Sequence, residues 1–301
     1  MSMADLGNGL AIIGFGEAGE AFVSGWRETH DGAISCYDLK VGKPGEREDL
    51  QLRGDRLGVR ICGSQAEALA GARAVFSLVT ADQALVAAQD CVAHIAAGTL
   101  WFDCNSCSPG TKRQAAEVIE AAGGIYIDVA VMAPVHPKRH RTPLLVSGPR
   151  TLEAMPLLEA LDMQPQYAGG TVGQASSIKM FRSVMIKGFE ALTAECLLAA
   201  RRAGVEAEVL HSLQASDPGI DWAKRSAYNL ERMMVHGERR AAEMREVART
   251  VTEQGLPSRM SDAITDWQAQ IAGLGLAGGS ADVGERADRI LSAILADKPV
   301  P

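Results

Sequence analysis

Apolar positions in the first half of the chain fall in short runs, separated by alanine-rich stretches with helical spacing. Residues 10–14, 34–38, 59–62, 74–80, 100–103, 125–131 and 144–147 read as strands. Residues 65–70, 83–95 and 112–122 read as helices between them. This alternation predicts a mostly parallel sheet with helices on both faces, the plan of an α/β Rossmann domain. Near Tyr167-Ala-Gly-Gly170 the pattern changes, and from Gly173 onward only helical periodicity remains. A long helix is expected at 174–203, with later helices at 206–215, 221–236, 239–254 and 258–272, the last following Pro257. Residues 272–284 are glycine-rich and read as a loop before a final helix at 285–296. The expected organisation is an N-terminal domain over residues 1–170 and an all-α C-terminal domain over 171–301, joined by the long helix.

Composition narrows the partners. The chain has 301 residues, 47% hydrophobic and 22% charged, which suits two soluble domains with a sizeable core. A formal net charge of -7 argues against nucleic acid or an anionic membrane surface as partner. No apolar run is long enough to span a bilayer, and the opening Met1-Ser-Met-Ala-Asp-Leu6 lacks the basic and apolar blocks of a signal peptide. Six scattered cysteines fit reduced thiols, so a cytoplasmic location is expected. Cys104-Asn-Ser-Cys107 is a CxxC without a second pair at zinc spacing; small residues lining a loop are preferred to a redox or metal role, and no metal is expected.

The densest chemical signal is Gly14-Phe15-Gly16-Glu17-Ala18-Gly19, between the first strand and a helical pattern. Gly14 suits a tight turn, Gly16 lets a pyrophosphate approach the backbone, and Gly19 lets the helix pack near the sheet. Free N–H groups at the helix start then face the phosphates. The second strand ends in Asp38, where a carboxylate can hold both ribose hydroxyls and repels a 2′-phosphate. Asp38 therefore favours NAD, while Lys40 and Lys43 nearby keep NADP in view. Ligands of such sheets sit at the carboxyl ends of the strands. Val79 and Thr80 lie at one such end, and Asn105 and Ser106 at the next. The loop holding Met132, His136, Lys138, Arg139, His140 and Arg141 follows the sixth strand, and its cations suit an anionic substrate. Lys179 stands near the start of the long helix among Ile178, Met180 and Phe181. The helix dipole and partial burial both act to lower the pKa of a lysine so placed, which suits proton exchange near neutral pH.

In these segments the chain resembles the beta-hydroxyacid dehydrogenases, the superfamily that includes 6-phosphogluconate dehydrogenase. The resemblance spans nearly the whole chain and is strongest in Gly14–Gly19 and in Gly173-Gln-Ala-Ser-Ser-Ile-Lys179. It implies a Rossmann domain followed by a helical domain, and a lysine, Lys179, that exchanges the proton of the substrate hydroxyl during hydride transfer. Two positions depart from the family. Ser183 stands where its asparagine follows the lysine by four residues. Asp128-Val-Ala-Val-Met132-Ala133-Pro134 lacks the serine and glycines that grip a carboxylate. The C-terminal half looks like a bacterial subgroup whose final domain carries no assigned function. A basic residue on a late helix, with His236 and Arg240 as candidates beside Arg239, is expected to reach the substrate in related enzymes.

The reading that results is an NAD(P)-dependent oxidoreductase acting on a small hydroxy acid or sugar-derived acid in a cleft between two domains. A homodimer is expected, because a helical domain rich in Ala, Leu and Met tends to bury an apolar face against a partner. An imine or aldehyde reductase on the same scaffold is the nearest alternative, although related imine reductases generally lack the lysine. A non-catalytic dinucleotide-binding protein is the alternative from another class.

Overall fold

The computed structural model describes residues 9–296, so the N-terminal hexapeptide read above lies outside the described residues. Two compact units divide at Lys179/Met180. The first holds eight strands in one sheet: β1 (Leu10–Ile13), β2 (Ile34–Tyr37), β3 (Val59–Ile61), β4 (Ala74–Ser77), β5 (Leu100–Asp103), β6 (Ile125–Val131), β7 (Pro143–Ser147) and β8 (Gln164–Gly169). Their order is β3-β2-β1-β4-β5-β6-β7-β8, and every pair is parallel except β6 with β7. The chain leaves β1 in one direction through β2 and β3, then returns to the other side of β1 as β4. This reversal between β1 and β4 is the switch point at which such sheets bind ligands.

Helices α1 (Glu17–Trp26), α2 (Glu46–Leu57), α3 (Gln65–Leu69), α4 (Ala84–Cys91), α5 (Pro109–Ala121) and α6 (Thr151–Ala160) connect the strands. Consecutive residues of the central strands feed opposite faces. Phe76, Phe102 and Ile127 join Phe22 and Trp26 of α1 on one side. Val75, Trp101 and Tyr126 join Ala115 and Ile119 of α5 on the other. The Trp26 and Phe76 rings lie 4.9 Å apart and those of Phe76 and Phe102 4.7 Å apart, so one aromatic seam ties α1 to β4 and β5.

The seven strands expected from the sequence all form. The eighth was not anticipated. β8 reads Gln-Pro-Gln-Tyr-Ala-Gly and sits at the sheet edge with mostly exposed or half-buried residues, so it carries no hydrophobic run to betray it. Helix α2 escaped for a similar reason: only Leu50 and Gly54 of its twelve residues are buried.

Helix α7 (Gln174–Ala203) contributes its residues up to Lys179 to the first unit and the rest to the second. The second unit continues with α8 (Glu206–Ser216), α9 (Trp222–Glu253), α10 (Arg259–Gly273) and α11 (Val283–Ala296). One expectation is corrected here. The helices read at 221–236 and 239–254 are a single 32-residue helix, α9. Gly237 stands between the two expected ranges, and a Cβ there would lie 2.7 Å from the Gln268 carbonyl oxygen and 2.9 Å from the Ala272 Cβ. The glycine is present because α10 packs against it. The apolar stripe of Leu230, Met233, Met234, Ala241, Met244 and Val247 runs through it without interruption. No helix among the described residues is long and apolar enough to cross a membrane.

Candidate active site

The glycine turn is built as its spacing requires. Gly14 has φ +92°, and a Cβ there would lie 2.6 Å from the Leu78 carbonyl oxygen and 2.9 Å from Val79 Cγ1, so β4's exit packs directly on the turn. A Cβ on Gly19 would lie 2.9 Å from the Gly14 carbonyl oxygen. Gly16 differs: a Cβ there would meet nothing within 4 Å. The space over Gly16 is open, and α1 begins on that residue with no side chain capping its N–H groups. Glu17 is exposed and Ala18 half-buried at the same lip, and Phe15 is fully buried, so Phe15 offers only backbone. An open glycine at an uncapped helix start fits a dinucleotide pyrophosphate.

Asp38 lies at the end of β2 and is half-buried. Its Oδ2 accepts the Phe15 N–H at 2.7 Å and its Oδ1 the Lys40 N–H at 2.9 Å. A carboxylate has about four acceptor positions, so room remains for ribose hydroxyls. Sequence reasoning missed the brace beneath this loop. Arg53 of α2 donates to the Phe15 carbonyl oxygen at 3.0 Å and to Glu20 Oε1 at 2.5 Å, and pairs with Asp49 at 2.9 Å. Lys40 and Lys43 sit 3.9 and 3.5 Å from Glu46.

At the carboxyl ends of β4 and β5, Val79 is half-buried and Thr80 exposed. Asn105 and Ser106 part company. Asn105 is 4% exposed; its Nδ2 donates to Ser77 Oγ at 2.9 Å and fixes the loop, while its Oδ1 has no hydrogen-bond partner within the protein. Ser106 is half-buried, and its Oγ accepts a hydrogen bond from Lys179 Nζ at 2.5 Å. The structure thus brings together two groups that the sequence placed 73 positions apart. Ser183 follows Lys179 by one helical turn on α7.

Below this pair lies a buried ionic cluster with no counterpart in the sequence reading. Lys112 of α5 is fully buried. Its Nζ donates to the Asp103 carbonyl oxygen at 2.6 Å and to Asp103 Oδ1 at 2.9 Å, and lies 3.4 Å from Asp128 Oδ1. Tyr126 donates its hydroxyl to Asp103 Oδ2 at 2.6 Å. Asp128 Oδ2 accepts from the N–H groups of Gly173 and Ser176 and from the Ser176 hydroxyl, each at 3.1 Å, and from Ser147 Oγ at 3.0 Å. It therefore caps the start of α7, where a negative charge is favoured. Burial opposes the Lys112 charge, but the two aspartates outweigh it and hold the pKa above its ordinary value. Burial pushes the Tyr126 phenol well up, and the Asp103 charge adds to this. The clue available in the sequence was an acid in each of two apolar strand runs, Asp103 and Asp128, since acids so placed call for a cation if buried.

Cys104 and Cys107 are both buried, and burial raises the Cys104 pKa to about 12. A thiol held neutral this way is a poor nucleophile or ligand. Among the described residues no cluster of His, Cys, Asp or Glu is arranged to hold a metal ion.

The basic loop is organised differently from its sequence reading. Arg139 pairs with Glu28 and donates to the Ser24 carbonyl oxygen at 3.3 Å, and Arg141 Nε donates to Asp162 at 2.7 Å. Ser24 and Glu28 lie at the far end of α1 from the glycine turn and Asp162 lies just past α6, so the two arginines brace the fold. His140 is 1% exposed and packs on Gly25; its Nε2 lies 3.6 Å from Asp162 Oδ2, beyond hydrogen-bond length. Met132 is half-buried, and His136 and Lys138 are exposed. Burial lowers the His140 pKa, with Arg141 and Arg139 adding to it against Asp162, and burial also lowers that of His30. In the unfolded chain both titrate near 6.5. Stability from keeping them neutral is complete above that value and is lost as pH falls through it toward the folded pKa values. The melting temperature is expected to drop between roughly pH 7.5 and 5.5, and less steeply in His140→Gln. Equal slopes in the two proteins would remove His140 from the effect.

In the second unit, Arg240 is 9% exposed, and its guanidinium is held bidentately by Glu190, Nε at 2.8 Å from Oε2. Gln268 donates to the same carboxylate at 2.7 Å. The expected substrate contact is thus an interior brace between α7, α9 and α10. His236 is half-buried and Arg239 exposed on α9.

Residues 9–164 match the family described as the NAD binding domain of 6-phosphogluconate dehydrogenase, and residues 200–271 match a domain of unknown function, DUF1932. A conserved hypothetical protein from Sinorhizobium meliloti is 36% identical, with a TM-score of 0.76 over 95% of this chain and 96% of that one. The 3-hydroxyisobutyrate dehydrogenase of Mycobacterium tuberculosis is 17% identical, with a TM-score of 0.72 over 95% of this chain and 99% of that one. A reductive aminase from Aspergillus terreus, solved with NADPH, is 18% identical with a TM-score of 0.55 over 97% and 100%. At these last two identities the likeness is one of fold.

Proposed function

The chain belongs to the family of the 6-phosphogluconate dehydrogenase NAD binding domain, and from that premise we propose that it is an NAD-dependent dehydrogenase of a small hydroxy acid or sugar-derived acid, with Lys179 as its general acid–base. The family and fold support a nicotinamide-dependent oxidoreductase of the hydroxyacid dehydrogenase type. The observation that carries the finer reading is the 2.5 Å hydrogen bond from Lys179 Nζ to Ser106 Oγ at the carboxyl end of β5. An amine there can exchange a proton with a substrate hydroxyl, and Ser106 can hold that amine and relay between it and the ligand.

The nicotinamide, when bound, supplies the hydride acceptor. The chain's own residues do the rest. Gly14, Gly16 and Gly19, with the N–H groups of Gly16 to Gly19, would hold the pyrophosphate at the start of α1, and the Phe15 N–H ties that turn to Asp38. Asp38 holds the adenosine ribose. Its charge, and the engagement of Arg53 by Glu20 and Asp49, favour NAD over NADP. Val79 and Thr80 line the switch point. Lys179 takes the hydroxyl proton in oxidation or returns it in reduction. Met132, His136, Lys138, Ser183 and His236 are the proposed substrate contacts, the cations among them suited to a carboxylate. Residues 1–170 make up the proposed dinucleotide domain and 171–301 the substrate domain.

Turnover of purified protein against a panel of small hydroxy acids and sugar acids, followed through reduced-nicotinamide absorbance with NAD and then NADP, is expected to single out one acid and to favour NAD. Binding of NADH with no acid turned over would overturn the reading in favour of carbonyl or imine reduction, or of a non-catalytic role.

A further inference from the structure

The loop after β5 and the start of α7 each carry one member of the Lys179–Ser106 pair, and each is anchored to a different aspartate. Asp103 closes β5, and its Oδ1 accepts the Asn105 N–H at 3.0 Å, fixing the backbone that leads into Ser106. Asp128 on β6 caps α7 through Gly173 and Ser176, within one turn of Lys179. The group that spans the two aspartates is the Lys112 ammonium, with one face on Asp103 and the other on Asp128. We infer that Lys112 is a positioning residue for the reaction: its buried ammonium is the strut that sets the Lys179 amine against the Ser106 hydroxyl.

Three features argue for a device at the site over a general stabiliser. Lys112 offers three donors, and the Asp103 carbonyl oxygen, Asp103 Oδ1 and the Val129 carbonyl oxygen at 3.4 Å all receive them, with Asp128 in charge contact. Of these partners, Asp103 ends β5 and Asp128 caps α7; the loop after β5 carries Ser106 and α7 carries Lys179. The glycine turn and Asp38 are held by other groups: Arg53 donates to the Phe15 carbonyl oxygen, Asp38 accepts the Phe15 and Lys40 N–H groups, and Leu78 packs on Gly14. Loss of the strut should therefore disturb the proton-exchanging pair and spare dinucleotide binding. A buried cation between two acids is a costly way to gain stability alone, since an apolar replacement of such groups is often as stable.

The inference rests on the proposed role of Lys179, and its test is chosen to be separable from it. Lysine reactivity is measured with trace acetic anhydride and peptide mass spectrometry on the full-length protein, with exposed Lys40 and Lys138 as internal references; no substrate is needed. In Lys112→Met, Lys179 is expected to acylate at least threefold faster than in wild type, because its bond to Ser106 is released. NADH affinity is expected to stay within twofold, and kcat on any acid found by the panel to fall at least tenfold. If Lys112→Met does not fold, Tyr126→Phe removes one hydrogen bond from Asp103 at nearly constant volume and is expected to raise Lys179 labelling about twofold, with Tyr126→Phe melting as a single transition. Unchanged Lys179 labelling in a folded variant overturns the inference, as does an equal loss of NADH affinity and kcat. Full turnover by Lys179→Ala would instead sink the proposed proton exchange, while leaving the labelling result to stand or fall on its own.

Discussion

Replacing Lys179 with alanine is expected to lower kcat by roughly a hundredfold or more while leaving NADH affinity nearly unchanged. The amine donates to Ser106 Oγ at 2.5 Å and is half-buried, so it can touch both protein and ligand. Nothing in the glycine turn depends on it: that turn is fixed by Leu78, Val79, Arg53 and Asp38. The loss therefore belongs to the chemical step, and kcat and kcat/KM should fall together. A variant with unchanged kcat would remove Lys179 from the mechanism. A variant that loses NADH as well would place Lys179 among the cofactor contacts instead.

The second large effect separates two glycines two residues apart. Gly14→Ala is expected to cost about 2–5 kcal/mol of stability, the sum of left-handed backbone strain and overpacking. Its φ is +92°, and the new Cβ would lie 2.6 Å from a backbone oxygen of Leu78 that cannot swing aside. Gly16→Val should fold normally, since its φ is -88° and nothing lies within 4 Å of the added Cβ. The side chain would instead fill the space over the start of α1. Dinucleotide affinity is expected to weaken by about tenfold to a hundredfold, the worth of one or two hydrogen bonds to a charged group. Denaturant melts and NADH fluorescence titrations on both variants read the two quantities separately. Tight NADH binding by a folded Gly16→Val would mean that the phosphates lie elsewhere.

Legibility varied with the range of the interaction. The strand–turn–helix around Gly14–Gly19 was readable because all its requirements fall within one local window. The same holds for helix α7, whose residues 174–203 follow their helical period throughout. At Gly237 local reading failed: the two expected helices stop on either side of it, but α10 pressing on it makes it a packing residue. Asn105 and Arg240 were readable as polar groups near a site, but not as buried ones. Asn105 is held by Ser77, 28 positions away, and Arg240 by Glu190, 50 positions away. The arginines after β6 were readable as a basic cluster, and only the packing of that loop on α1 showed that Glu28 and Asp162 neutralise them.

By itself, the sequence determined the βα alternation, the phosphate-binding turn and the spacing of a lysine near the start of a long helix. Each is a matter of local backbone preference and of hydrophobic period over a few turns. Tertiary structure decided which charges are buried and with whom they pair. Lys112 reads as one more polar residue in the first turn of α5, until β5 and β6 lie side by side and their register brings Asp103 level with Asp128. Burial then makes the pairing matter, because a charge removed from water is stabilised by an opposite charge and by hydrogen bonds at close range.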